Sequence, residues 1–461
     1  MKKVIICGAG QVGYGIAEHL SAEGNDVSVI DTEADLVQQV TDSLDVRGFV
    51  GHGAHPDMLK SAGADECDML IAVTYHDEVN MVACQIAHAM FNIPQKIARI
   101  RAQSYREPHW ADLFTRNHMS IDVIISPEIE VGEAVLHRLN LPGALDVFSF
   151  DEGRITAIAI SCSEECPILE TPLEQLTDLF PDLFATIVGI SRDGNLFTVS
   201  RKDELKAGDN VYLVVRTDQV ERTMKIFGHK KDRANRVVIA GAGNIGLYVT
   251  QRIEKIHPFS TQKLIEMDHD KSEIAAEKLS DKTIILNGNV LSEAVLNEAD
   301  IRDADMMIAL TNDDQVNILS SVLAKRLGCR HNLCLINNRS YMAIVDELGI
   351  EAHLNPRSIT ISRILEHVRM GSIKGVYSIQ DGAAEIMEAE ALQTSPLVGT
   401  PLRELDLPEG MRIGAIIRNN EMILPRGDLV IRQGDRVIIL ALVEYVHEVE
   451  RVFQVALDYF L

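Results

Sequence analysis

Two glycine-rich runs carry the clearest chemistry in this chain. Gly8-Ala9-Gly10-Gln11-Val12-Gly13 follows the apolar run Val4-Ile5-Ile6, and Gly241-Ala242-Gly243-Asn244-Ile245-Gly246 follows Val237-Val238-Ile239-Ala240, 233 positions later. Each has GxGxxG spacing between a short strand and the start of a helix. The first glycine permits a tight turn, the second lets backbone N–H groups approach a pyrophosphate, and the third lets the helix close on the strand. The helix N-terminus adds partial positive charge. An acid at the end of the next strand would hold ribose hydroxyls. Asp31 stands 18 residues past Gly13, and Glu266 stands 20 past Gly246. A carboxylate there repels a 2′-phosphate and no Arg follows directly, so the pattern favours NAD over NADP. Glycines kept only for packing would leave the same pattern, and that alternative stays open.

Other candidates belong at the carboxyl ends of strands, where such sheets bind ligands. They are Asp31, Gly51, Thr74 and Arg99, with Tyr75 beside Thr74. Gly51-His52-Gly53 reads as a second flexible turn able to admit an adenosine, or as a plain glycine turn with a surface His. Thr74 offers its hydroxyl to a ligand or to a helix N-terminus. Arg99 can neutralise phosphate or pair at the surface, and Arg101 is more readily a surface pair. In the second copy Leu335 replaces Arg99, Asn337 replaces Arg101, and Gly288-Asn289-Val290 replaces Gly51-His52-Gly53. The second site is therefore expected to bind nucleotide more weakly or differently.

The elements that position these residues alternate. Strands are expected at Val4–Ile6, Val27–Ile30, Phe49–Val50, Met69–Val73 and Ile97–Ile100, with helices over Gly13–Leu20 and Glu78–Met90. Alternation of this kind implies a parallel, doubly wound sheet. The second half repeats it: Ala72-Val73-Thr74 and Asn80 match Ala309-Leu310-Thr311 and Asn317 at one offset of 237. Tyr105 matches Tyr341 at 236. Agreeing offsets mark a duplication. Strand-rich stretches follow each half, with Gly208-Asp209-Asn210 and Gly434-Asp435-Arg436 as matching turns. The expected fold is α/β, with two Rossmann-like doubly wound sheets, each followed by a small α+β domain. The expected divisions are 1–140, 141–230, 231–372 and 373–461, with Lys230-Lys231-Asp232-Arg233 as an exposed linker.

A chain of 461 residues fits about three or four domains of ~100–150 residues each. A hydrophobic content of 46% with 24% charged residues fits a globular chain rather than a disordered one. The formal net charge of −24 repels phosphate backbones and argues against nucleic acid as a partner. The seven cysteines form no CxxC pair, which fits buried thiols in a reducing compartment rather than a metal site. The apolar run after Lys2-Lys3 ends at Gly8, too short for a signal peptide, and no stretch approaches a membrane span of ~20 residues. A cytoplasmic chain is expected.

A dehydrogenase would need an acid/base and a substrate pocket facing the nicotinamide. The small domains carry no obvious His, Lys or Arg cluster for this, His52 and His55 near the site read more readily as surface residues, and GxSxG, HExxH and P-loop motifs are absent. No catalytic or metal-ligating residue is assigned.

Several stretches together resemble the RCK/KTN family of potassium channel and transporter regulators. They are Cys7–Gly13, Gly51-His52-Gly53-Ala54-His55-Pro56, Asn80–Gln85, Ile97–Arg101, Lys263–Glu266 and Ile308–Asn312. Within that family the His52 form is similar to the peripheral subunits of bacterial Trk potassium-uptake systems, and the resemblance spans essentially the whole chain. It implies a non-enzymatic regulator binding NAD or NADH, with ATP or ADP as alternatives. It also implies a homo-oligomeric ring beneath a membrane-embedded Trk potassium transporter, peripheral at the cytoplasmic face of the inner membrane. The ligand residues implied are Gly8 to Gly13, Asp31, Thr74 and Arg99, with Glu266 in the second site. An NAD-dependent oxidoreductase and an RCK regulator of another ion transporter remain the alternatives.

Overall fold

A computed structural model describes residues 2–115, 118–229, 234–257, 259–345, 347–350, 352–368 and 373–453. The linker expected at 230–233 lies outside the described residues.

The first sheet is built from β1 (Lys3–Cys7), β2 (Asp26–Asp31), β3 (Arg47–Val50), β4 (Met69–Ala72), β5 (Gln95–Arg99) and β6 (Val123–Ile125). Its order is β3-β2-β1-β4-β5-β6, parallel throughout. The reversal between β1 and β4 opens a crevice beyond the strands' carboxyl ends. The connecting helices are α1 (Gln11–Ala22), α2 (Ala34–Ser43), α3 (Pro56–Ser61) and α4 (Asp77–Phe91), and α5 (Pro127–Asn140) follows β6. The core strands β1 and β4 are buried on both faces, as continuous apolar runs in a parallel sheet require. Ile16, Ala17 and Leu20 of α1 are wholly buried on one face, as their spacing predicts.

The first small sheet contains β7 (Ala144–Phe150), β8 (Ile155–Ser161), β9 (Ala185–Arg192), β10 (Asn195–Thr198) and β11 (Asn210–Arg216), with α6 (Leu173–Leu179) and α7 (Val220–Ile226). The second parallel sheet has β12 (Arg236–Ala240), β13 (Thr261–Glu266), β14 (Thr283–Asn287), β15 (Met306–Ala309), β16 (His331–Leu335) and β17 (Ala352–Leu354). Its order, β14-β13-β12-β15-β16-β17, repeats the first. With it come α8 (Asn244–Ile256), α9 (His269–Lys278), α10 (Glu293–Glu298), α11 (Asp314–Leu327), α12 (Met342–Val345) and α13 (Pro356–Val368). The last sheet holds β18 (Ile373–Ile379), β19 (Ala384–Glu390), β20 (Met411–Arg418), β21 (Glu421–Ile423) and β22 (Arg436–Leu442), followed by α14 (Val446–Phe453). The two small sheets are antiparallel and share one strand order, β7-β8-β11-β9-β10 matching β18-β19-β22-β20-β21. The α/β class with two doubly wound sheets and two small α+β domains is as expected.

The chain divides into two compact units, and neither is a contiguous half. One holds Met1–Glu130 with Arg357–Arg369, and the other holds Val131–Pro356 with Met370–Leu461. In the first, Ile361, Ile364, Leu365 and Val368 of α13 share a core with Ile16, Ala17 and Leu20 of α1. Lys2 Nζ donates to Val368 O, and Gln95 Nε2 donates to His367 O at 2.7 Å, so both satisfy carbonyls at the end of α13. In the second, the small sheets pack face to face: Ala157, Val188 and Val214 share a core with Ile386, Ala415 and Ile438.

The matching Gly-Asp turns have a definite role. Arg192 grips Asp209 with two bonds of 2.7 Å. Arg418 grips Asp435 with bonds of 2.9 and 2.6 Å. Each carboxylate also accepts a backbone N–H of its own turn, from Lys206 and Arg432. Two-pronged charge-assisted bonds of this kind fix strand ends.

A paired candidate nucleotide site

Both glycine runs form the same turn. Gly8 and Gly241 have positive φ, +112° and +99°, where a side chain would be strained. A Cβ on Gly13 would stand 1.8 Å from Gly8 O, and one on Gly246 would stand 1.9 Å from Gly241 O. These two glycines let helix meet strand. The middle glycines differ: a Cβ on Gly10 or Gly243 would meet nothing within 4 Å. Open space beside backbone N–H groups is what an approaching phosphate needs. Gly10 and Gly243 are also the N-caps of α1 and α8. Neither helix has a side-chain cap or an acid in its first turn. Their first-turn amides, Gln11-Val12-Gly13 and Asn244-Ile245-Gly246, are thus left to an outside acceptor.

The two acids do one job with side chains of different length. Asp31 Oδ2 accepts from Ala9 N at 2.6 Å and Oδ1 from Glu33 N at 3.0 Å. Glu266 Oε2 accepts from Ala242 N at 2.6 Å and Oε1 from Asp268 N at 2.9 Å. Each carboxylate bridges the glycine turn to the start of the next loop, beside the crevice. Each oxygen keeps lone-pair capacity for a ribose hydroxyl.

The remaining candidates gather along the strand ends. Asp31 and Arg99 close β2 and β5, and Gly51 directly follows β3. Gly51 N donates to Asp31 O at 2.8 Å, as Gly288 N donates to Glu266 O at 2.9 Å. The flexible-turn reading of Gly51-His52-Gly53 needs correction: neither glycine has positive φ. Space demands them. A Cβ on Gly51 would stand 2.3 Å from Met58 Cε, and one on Gly53 would stand 2.9 Å from Cys7 Cβ. His52 stacks on His55 with ring centres 4.6 Å apart.

Thr74 does not cap α4; His76 occupies that position. Thr74 donates from N and Oγ1 to Asn80 Oδ1, at 2.9 and 2.7 Å. Asn80 Nδ2 in turn donates to Thr74 O at 3.2 Å and to Arg99 O at 2.8 Å. Asn317 repeats the clamp on Thr311 and Leu335. Both Asn side chains are fully buried. In the sequence Asn80 and Asn317 stand out only as landmarks of the repeat. A buried amide at one offset in both copies was the available signal that they staple the crevice wall.

Arg99 Nη2 donates to Thr74 O at 2.9 Å, while its Nε is buried with no partner among the described residues. Burial, with Arg101 nearby, holds its pKa below the usual guanidinium value. An anion at the strand ends would relieve both costs. Arg101 is already engaged: its Nε donates to Glu128 at 3.1 Å, and its guanidinium lies 5.4 Å from the exposed Tyr75 ring. Tyr75 stands at the rim of the crevice, 73% exposed. In the second copy the strand-end position of Arg99 is taken by Leu335, 3% exposed, so that cation is missing.

All seven cysteines are buried thiols outside disulfides, and burial pushes Cys7 up to about 12. Among the described residues no group of His, Cys, Asp and Glu is arranged to hold a metal, and no helix is long and apolar enough to cross a membrane.

Comparison with known proteins adds to this geometry. The TrkA-N domain model matches residues 4–127 and 237–356, and the TrkA-C domain model matches 386–454. The chain is 54% identical over 458 residues to the Trk system potassium uptake protein TrkA of Azorhizobium caulinodans, covering 99% of this chain and all of that one. It is 38% identical to the protein of the same name from Halomonas elongata, covering 99% and 100%. Among solved structures, the GsuK RCK domain superposes with a TM-score of 0.60 at 16% identity, covering 98% of this chain and 95% of that one. The GsuK channel bound to NAD does so at 0.59 and 15%, covering 98% and 78%. These two likenesses concern the fold.

Proposed function

From the premise that the chain belongs to the TrkA family of Trk-system potassium uptake proteins, we propose that it is a nucleotide-binding regulatory subunit of potassium uptake, without catalysis of its own. The observation that carries the reading is the doubled turn: open space at Gly10 and Gly243, uncapped helix amides, and a carboxylate bonded to each turn beside the crevice. NAD or NADH is the proposed ligand, because a carboxylate at Asp31 and Glu266 disfavours a 2′-phosphate. ATP and ADP share the adenosine and phosphate chemistry and are the alternatives.

The proposed ligand set in the first site is the Gly8–Gly13 turn, Asp31, Gly51, His52, Thr74, Tyr75 and Arg99. In the second it is Gly241, Gly243, Asn244, Ile245, Gly246 and Glu266. With Leu335 in place of Arg99, the second site is the weaker one. The domain division proposed is 1–140, 141–230, 231–372 and 373–461, with the compact units drawing helices across those lines.

The proposed mechanism is a population shift. A nucleotide bound better by one arrangement of the domains biases the chain toward it, with a coupling typically about 1–3 kcal/mol. The proposed assembly is a homo-oligomeric ring at the cytoplasmic face, docked on a Trk membrane subunit. A net charge of −24 suits contact with the Lys/Arg-rich cytoplasmic loops of a membrane protein and disfavours anionic lipid. Potassium flux through the reconstituted membrane subunit, with and without this chain and NAD or NADH, tests the reading. Flux that ignores both the chain and the nucleotide would overturn it.

A further inference from the structure

The duplicated halves are alike in fold but not where they pack on each other's helices. In the first unit, Gly15 of α1 faces Ile361 of α13: a Cβ on Gly15 would stand 2.3 Å from Ile361 Cδ1. In the second unit, Gly132 of α5 faces Tyr248 of α8: a Cβ on Gly132 would stand 2.3 Å from Tyr248 Cδ1 and 2.7 Å from Cε1. The positions are equivalent by the repeat. Gly15 and Tyr248 are 233 apart, the offset of the glycine turns. Gly132 and Ile361 are 229 apart, the offset of Pro127 and Pro356 that open the two helices. At one junction the hole is on the sheet-bearing helix and the knob on the following helix. At the other the roles are reversed.

We propose that these four residues make the two halves of the chain obligate partners of each other, so that like halves cannot pair. Pairing first half with first half would set Gly15 against Gly132, hole against hole. Pairing second half with second half would set Tyr248 against Ile361, where a Cβ alone already forces Ile361 Cδ1 to shift and a whole ring needs far more room. Polar contacts follow the same logic. Glu133 accepts from Tyr248 Oη and, at 3.1 Å, from Arg252 Nε. In a pairing of second halves the residue at the place of Glu133 is Ser362, with no carboxylate.

The small sheets supply a second, independent instance. Asp151 of the first is buried and paired with Arg436 of the second, and Asp151 N donates to Glu388 at 3.1 Å. Their repeat equivalents are Gln380, Asn210 and Ala159. A pairing of first halves would take Arg436 from the buried Asp151 carboxylate and leave it only Arg154 of its own half, 2.7 Å away.

The full-length chain can carry the test, because single substitutions recreate the like-with-like faces at the first junction. Ile361→Ala sets a small residue against Gly15, and Gly15→Tyr sets a tyrosine against Ile361. The double variant G15Y/I361A approximates the second junction. In thermal unfolding each single variant is expected to melt several degrees below the parent, and the double to regain at least half of what Gly15→Tyr loses. If Gly15→Tyr gives no folded protein, recovery of folded protein by the double is the same result. Leu365→Ala, in the same core but not facing Gly15, should give no rescue. A single variant that melts with the parent, a double that falls as far as the two singles together, or equal rescue by Leu365→Ala would overturn the proposal.

Discussion

The two glycines Gly10 and Gly13 separate binding from folding, and alanine at each gives opposite results. At Gly13 the new Cβ would stand 1.8 Å from Gly8 O, in a backbone turn with little freedom to give. Ordinary carbon–oxygen contact needs about 3.3 Å, so α1 must move by roughly 1.5 Å. Overpacking of this kind costs about 1–3 kcal/mol. Melting is then expected to fall by roughly 2–12 °C, at about 2–4 °C per kcal/mol for a unit of this size. At Gly10 the φ of −63° suits alanine and nothing lies within 4 Å. Alanine is a poorer N-cap than glycine, so the fold should lose about 0.5–1 kcal/mol, roughly 1–4 °C. The methyl group, however, fills the approach to the first-turn amides. Losing one charge-assisted bond there costs about 1.5–3 kcal/mol, roughly 10- to 100-fold in affinity. The assay is thermal unfolding of the full chain, with calorimetric titration of NAD and NADH on the same samples. A Gly10→Ala protein that binds as tightly as the parent would refute the placement of the phosphates. A Gly13→Ala protein that melts with the parent would refute the geometry of the turn.

The other expectations rest on charge. Arg99→Ala should weaken nucleotide binding about 10-fold or more while raising or sparing stability, since a buried, poorly partnered guanidinium is removed; unchanged affinity with NAD would remove Arg99 from the site. His137 and His367, one on each exchanged helix, have pKa values held below 6.5 by burial, with nearby carboxylates opposing the shift. In each case the unfolded chain takes up protons more readily, so stability is full above about pH 6.5 and falls as the pH drops below it. Melting temperature against pH should slope less in His137→Gln and His367→Gln, and an unchanged slope contradicts the assignment. Asp435→Ala removes a carboxylate only 3% exposed and leaves the Arg418 guanidinium, 16% exposed, without it; the loss should be about 2–4 kcal/mol, read as a lower denaturation midpoint. A midpoint equal to the parent's would show that the pair contributes nothing.

Much of this molecule can be read from its chain. The runs Val4–Cys7 and Val237–Ala240 are buried strands because nothing polar interrupts them. The turns after them are recognisable because two of three glycines answer to hard sterics. Asp31 and Glu266 show their role through position despite unequal length. The exchange of helices could not be read. The stripe Ile361, Ile364, Leu365, Val368 says that α13 is buried, but the same stripe would suit either sheet. Gly51 and Gly53 look like hinge residues in sequence, whereas Met58 and Cys7 crowd them in the structure. Asn80 and Asn317 look like polar helix residues, and only the fold reveals their buried clamp. The three-residue strands β6 and β17 are too short to carry a period.

The central claim is an unequal pair of nucleotide sites in one chain. Its most direct test is calorimetric titration of the full-length protein with NAD and NADH, alongside Asp31→Ala and Glu266→Ala. The tighter binding should disappear with Asp31→Ala and survive Glu266→Ala. Equal loss in both variants, or no binding by the parent, would contradict it.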